Sequence, residues 1–304
     1  MNTLITKLGA TGDVVRTTPL LHRLTGQVTW LTAARNTTLL RGLKRNLCCL
    51  AWEERDRALD AHYDLAINLE DTLDAAQFLK AMKCTKIFGA YVAPNNSLRY
   101  TEDSRCWFDL SIISCHGRKK ADKLKLQNRK TYQEMIFDGL GFGFGGETYL
   151  LPEPIETGLS GDVAIAAEAG AVWPMKKWAY YDQLKQRLED QGLTVNMLPA
   201  RSSLLEHLSD VRNHLCLVGG DSLPMHFALG TETPCVSLFT CTSPWEIYDY
   251  GVQTKIVSPL LEEFFYKRGY DEHATRAITV DEVFEAIMAQ LNRNRTPAAP
   301  ATLS

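Results

Sequence analysis

The sequence predicts an α/β protein made of two parallel-sheet halves. Strand and helix patterns alternate through the first 92 residues, and the alternation restarts at Val163. Between the two runs, Pro152, Pro154, Gly158 and Gly161 mark a break in composition. Such alternation is the rhythm of βαβ units around a parallel sheet, and clustered Pro and Gly punctuate domains. The expected division is residues 1–157, residues 158–291, and a tail Asn292–Ser304 that lacks an apolar face and reads as disordered. Two such halves imply a cleft for a ligand.

The opening stretch Thr6–Leu20 (TKLGATGDVVRTTPL) organises the first half. Leu4, Ile5 and Leu8 mark a strand, Gly9-Ala10-Thr11-Gly12 a turn, and Val14 and Val15 the start of a helix. Strands are expected at Val28–Thr32, Asp64–Leu69 and Ile87–Val92, with helices over Thr37–Leu43, Thr72–Met82 and Tyr132–Leu140. The second half reads as strands Val163–Ala167, Thr194–Leu198, Leu215–Val218 and Cys235–Phe239. Helices fall at Trp178–Gln191, Ser203–Ser209 and after Asp221. The last helix opens on the capping-box pattern Thr279-Val280-Asp281-Glu282 and runs to about Leu291.

Composition excludes several classes. The chain has 304 residues, 45% hydrophobic and 23% charged, the profile of an ordinary globular protein long enough for two cores. A formal net charge of −3 argues against nucleic acid as a partner. No stretch approaches the run of about 18 apolar residues that spans a bilayer. The N-terminus has no charged region followed by an apolar one, so a cytoplasmic protein is expected. The eight cysteines form no CxxC pair and read as reduced thiols. Cys84, Cys106, Cys115 and His116 fit no standard metal spacing, so neither metal nor cofactor is expected.

Four constellations bear on chemistry. A strand delivering Gly9–Gly12 to a helix start gathers bare N–H groups and a positive dipole end, a phosphate-binding arrangement that Asp13 opposes by its charge. Asp13 is therefore a helix cap or a group facing a proton that must leave. The same turn, with Arg35 and the pair Tyr181 and Lys185, also reads as an NADP-dependent, short-chain-dehydrogenase-like oxidoreductase. Against that, Val15 occupies the third glycine position. Gly141, Gly143 and Gly146 match GxGxxG but follow a helix, so their expected work is to end it.

In the second half, Asp221 or Ser222 stands where a helix N-cap belongs, and Ser222 and His226 share a helix face. That is either a capped helix or a phosphate site. Lys176 and Lys177 lie on the carboxyl side of the half's first strand, where open sheets bind ligands. Finally, Arg118–Lys130 carries seven cations against Asp122 alone. It reads either as a solvated helix face or as a surface for an anionic acceptor or the inner leaflet, which would put the protein at the membrane periphery.

Taken in order, these pieces resemble glycosyltransferase family 9, the ADP-heptose-dependent heptosyltransferases of lipopolysaccharide core synthesis. LGATGDVVRTTPLL resembles that family's glycine-aspartate turn, and Gly170-Ala171 with Lys176-Lys177-Trp178 its GA-x₄-K-[KR]-W stretch. Asp221–His226 resembles the D-[ST]-G-x-x-H motif, and Val236–Pro244 the strand and T-S-P loop. The resemblance implies a GT-B fold of two Rossmann-like domains facing across a cleft, the N-terminal one binding acceptor and the C-terminal one nucleotide sugar. It implies inverting, metal-independent transfer from an ADP-sugar to a hydroxyl of a glycan, glycolipid or other acceptor. Asp13 would be the base, Lys176 the diphosphate cation, and Lys177, Asp221, Ser222, His226 and Thr242 the donor site, with Gly9, Thr11 and Gly12 the acceptor-side loop. Leu223 departs from the family's glycine, and Thr240-Cys241 from its Gly-Pro. A catalytically silent nucleotide-sugar-binding protein is the reading that Leu223 would permit.

Overall fold

The computed structural model describes residues 1–295. It divides into two compact units, residues 1–153 with 245–248, and residues 154–244 with 249 onward. Each is built on its own sheet.

Unit 1 carries a six-stranded sheet in the order β3-β2-β1-β4-β5-β6. The strands are β1 (Asn2–Thr6), β2 (Gln27–Thr32), β3 (Leu47–Ala51), β4 (His62–Asn68), β5 (Lys83–Val92) and β6 (Leu98–Tyr100). All pairings are parallel except β5 with β6. Successive side chains of a strand point to opposite faces, and β1 feeds both cores. Ile5 packs with Val14, Trp30, Ile67 and Phe137, while Leu4 packs with Leu31, Tyr63, Ala66 and Leu79. The helices used below are α1 (Thr11–Thr17), α2 (Leu73–Ala81), α3 (Arg118–Gln127) and α4 (Tyr132–Leu140). Gly141 ends α4 at φ 79°, a left-handed position that suits glycine, and its N–H caps Asp138 and Phe137 carbonyls. The glycine run after α4 is thus a helix stop.

Unit 2 carries a fully parallel sheet in the order β11-β10-β9-β7-β8. Its strands are β7 (Gly161–Ala166), β8 (Val195–Met197), β9 (His214–Gly220), β10 (Cys235–Phe239) and β11 (Gln253–Val257). The helices are α5 (Tyr181–Glu189), α6 (Leu204–Arg212), α7 (Leu223–Gly230) and α8 (Val280–Arg295). Val163, Ile165, Trp178, Leu184, Val283 and Ile287 share one core. The expected capping box opens α8, with Glu282 N–H donating to Thr279 Oγ1 at 3.3 Å and Thr279 N–H to Glu282 Oε2 at 2.9 Å.

Several expectations are corrected. Strands β3, β6 and β11 were not anticipated; they close sheet edges, where half-exposed strands show the weakest alternation. The chain divides at residue 153 rather than 157, and Trp245–Tyr248 belongs to unit 1. Glu246 explains that return: it is buried, its carbonyl accepts from Tyr132 N–H at 2.9 Å, and its carboxylate meets Lys125 at 3.5 Å. The disorder expected from Asn292 does not hold for Asn292–Arg295, because α8 continues to Arg295. Adding a turn costs little once Leu291 is buried. The rest of that stretch lies outside the described residues.

Candidate active site

In each unit the strand order reverses beside the first strand, and ligands of open parallel sheets bind outside the carboxyl ends at that reversal. In unit 1 the reversal lies between β1 and β4. Lys7 and Glu70 leave those two strands side by side, and Lys7 Nζ donates to Glu70 Oε1 at 2.9 Å. The same oxygen accepts from Leu8 N–H at 2.8 Å. Both side chains are almost buried, 11% and 10% exposed.

Asp13 stands in the first turn of α1, its side chain 32% exposed. Oδ2 accepts from Ala10 N–H at 3.2 Å and lies 3.9 Å from Lys7 Nζ, while Oδ1 meets Arg16 Nη2 at 2.9 Å. It thus caps its helix and keeps an exposed face. Burial pulls the Lys7 pKa down, but the Asp13 and Glu70 carboxylates more than offset this, leaving it above the ordinary lysine value.

Arg16 is held from behind, 4.2 Å over the Tyr132 ring and 5.5 Å over Trp107. Thr17 Oγ1 donates to the Asp13 carbonyl at 2.6 Å and lies 2.7 Å from Tyr132 Oη. The threonine proton being used, Tyr132 is the donor in that contact. Thr11 Oγ1 donates to Asn36 Oδ1 at 2.8 Å, and Asn36 Nδ2 donates to the Leu8 carbonyl at 2.7 Å. Asn36 thereby fixes the Gly9–Gly12 turn; Gly9 and Gly12 are partly exposed beside Asp13.

In unit 2 the reversal lies between β7 and β9. The loop after β7 brings Lys176 to the end of β9, where a Cβ on Gly220 would lie only 3.0 Å from the Lys176 carbonyl. A side chain there would push that loop away. Lys176 Nζ donates to the Asp221 carbonyl at 2.7 Å and to Asp221 Oδ2 at 3.1 Å, with side chains 16% and 17% exposed. Ser222 is the N-cap of α7, yet its hydroxyl donates back to the Gly220 carbonyl at 3.3 Å. His226 is buried in α7. The hydroxyls of Thr242 and Ser243 are buried with no hydrogen-bond partner, a cost a ligand oxygen could relieve. Thr240, in the departing Thr240-Cys241 pair, donates to the Met175 carbonyl at 2.7 Å and so fastens the lysine loop.

Lys177 does not join Lys176. It pairs with Glu168 at 2.9 Å, with side chains 53% and 81% exposed. Tyr181 and Lys185 form no catalytic pair: the Tyr181 hydroxyl is buried in the core without a partner, and Lys185 pairs with Glu189. A cavity of about 410 Å³ is lined by Gly170, Arg201, His207, Ser222, Leu223 and Pro224, among others. Leu223 therefore forms part of its wall. Burial holds the His207 imidazole below its ordinary pKa, and its Nδ1 has no partner.

Sequence reasoning missed Lys7, Glu70, Arg16, Asn36 and His207. Glu70 had a readable signal, since it immediately follows the apolar strand run Asp64–Leu69, whereas Lys7 stands within the stretch read as the first strand.

No family model matches the sequence, and no curated protein matches it. Solved structures do. The class is the GT-B-like fold, two Rossmann-like units each on a mainly parallel sheet, similar to solved heptosyltransferases. The glycosyltransferase family 9 protein of Veillonella parvula DSM 2008 is similar with a TM-score of 0.67 at 15% identity, over 96% of this chain and 97% of that one. E. coli heptosyltransferase WaaC with ADP-2-deoxy-2-fluoro heptose gives 0.61 at 12% identity, over 95% and 99%. E. coli ADP-heptose lps heptosyltransferase II gives 0.61 at 15%, over 97% and 100%.

Proposed function

We propose that this protein is an inverting glycosyltransferase that moves a heptose or similar sugar from an ADP-sugar to an acceptor hydroxyl. The observation that carries the reading is Lys176 at the strand-order reversal of unit 2, its ammonium beside the α7 start. A sugar diphosphate needs such a cation where its charge develops, and no metal is invoked for that role. The fold shared with heptosyltransferases supports the donor class.

Unit 2 takes the donor. Lys176 and the first turn of α7 meet the diphosphate, with Ser222, His226 and Thr242 as further contacts and Lys177 an outer cation. Unit 1 takes the acceptor beside Gly9, Thr11 and Gly12. Asp13 accepts the acceptor's hydroxyl proton, the oxygen attacks the anomeric carbon, and the bond to ADP breaks with its electron pair leaving on the diphosphate. Lys7 and Arg16 hold the base in place from its buried side.

Asp13→Asn tests this. Transfer should fall by about 10²–10⁴-fold, the worth of a positioned base, while ADP binding measured by calorimetry stays unchanged. Normal turnover by the variant would remove Asp13 as base.

Within α3, Lys119, Lys120 and Lys123 are exposed, whereas Lys125 is drawn inward to Glu246. No helix among the described residues is long and apolar enough to cross a membrane. We assign the exposed lysines to the anionic part of the acceptor or of the cytoplasmic membrane face. Co-sedimentation with anionic vesicles should weaken as salt rises; binding indifferent to salt would refute the assignment.

A further inference from the structure

Cys115 and His116 fit no metal spacing with Cys84 or Cys106, but folding supplies a different third group. Among the described residues, Asp109, Cys115 and His116 are the one set of three such side chains with mutually close ligand atoms, all within 4.8 Å of one another. Cys115 Sγ lies 3.8 Å from Asp109 Oδ1, and His116 Nε2 lies 3.4 Å from Asp109 Oδ2. A tetrahedron of metal bonds of about 2.0–2.3 Å has edges of roughly 3.3–3.8 Å. Both separations are of that size but end on different carboxylate oxygens, so gathering one oxygen, the thiol and the imidazole on one ion takes rotations of Asp109 and of exposed Cys115.

The set is also oriented from outside. Tyr100, on β6, donates to Asp109 Oδ1 at 2.6 Å, and its oxygen accepts from Cys115 N–H at 2.9 Å. Its ring stacks on buried Phe108 at 5.4 Å. One hydroxyl thus fixes both ends of the loop, the kind of outer hydrogen bond that steers metal ligands. Arg105 Nε approaches Asp109 Oδ2 at 3.4 Å, but that guanidinium also has Glu102 at 2.8 Å and does not depend on Asp109. A carboxylate and a thiolate together balance a divalent charge.

We propose that Asp109, Cys115 and His116 bind one divalent transition-metal ion of the zinc class, with water completing the coordination. Mixed O, S and N ligands suit zinc and cobalt rather than calcium or magnesium. The ion would fasten the loop that enters α3, since His116 also borders the groove of about 500 Å³ lined by Lys119, Lys120 and Lys123. No step of sugar transfer is routed through it, so the site stands or falls separately from the transferase reading.

The test is cobalt titration of the full chain, stripped of metal and reduced. One equivalent of Co²⁺ should give a thiolate-to-cobalt charge-transfer band that Zn²⁺ abolishes. Cys115→Ser should remove the band, and Cys106→Ser, an exposed cysteine outside the set, should leave it intact. Tyr100→Phe should weaken Co²⁺ binding by about 10–100-fold while keeping the band's shape, as expected for an orienting group. Absence of the band at one equivalent, or its survival in Cys115→Ser, would overturn the site. Should Cys115→Ser fail to fold, His116→Gln decides: an unchanged band and affinity would equally overturn it.

Discussion

The two units place opposite charges at the same topological position. In unit 1 the exposed group is an acid and its supporting cations lie beneath it, Asp13 being 32% exposed against 11% for both Lys7 and Arg16. In unit 2 the central group is a cation closed onto its own acid, Lys176 and Asp221 being 16% and 17% exposed. The difference is one of readiness. Asp13 is about a third exposed while its two oxygens meet Ala10 N–H and Arg16. Lys176 already donates to both the Asp221 carbonyl and its carboxylate, so a diphosphate bound as proposed would have to share or replace those bonds. Asp221 thus keeps the nearly buried ammonium satisfied.

That contrast can be broken in order of effect. After Asp13→Asn, the next largest loss should follow Lys176→Ala, about 10²–10³-fold in kcat, the cost of removing one charge-stabilising donor, together with weaker ADP binding. Lys177→Ala should change either quantity by no more than about 2-fold, because exposed pairs contribute little. Steady-state kinetics on both variants check this, and the reverse order would move the diphosphate role to Lys177. Glu70→Gln sharpens the unit 1 side. It leaves Lys7 buried with Asp13 as its remaining carboxylate partner, and losing one member of such a buried pair costs about 3 kcal/mol. Denaturant unfolding should register that loss with a smaller effect on turnover than Asp13→Asn; unchanged stability would mean the Lys7–Glu70 pair supports nothing.

Local chemistry wrote part of this into the chain. The strand–turn–helix passage around Asp13, the Thr279–Glu282 capping box and the glycine stop after α4 each depend on residues within a few positions of one another. They were legible because hydrogen bonds from cap to first turn leave short-range patterns. Buried parallel strands such as Val163–Ala166 were legible too, as apolar runs. The edge strands β3, β6 and β11 were not, since a strand half-open to solvent has no strict alternation to display.

The sequence by itself determined the α/β class, the acid at the first helix start and the cation after β7, because strand periodicity and helix-start chemistry are local. Only the tertiary structure decided which partners those groups have. It put Glu70 against Lys7 across 63 positions, Asp221 against Lys176 across 45, and Glu246 into the unit of Arg16 and Lys125. It also separated Lys177 from Lys176 and drew Asp109 to Cys115 and His116. Side-chain pairing at long range follows from strand order and burial, and neither is recorded in the spacing of residues along a chain.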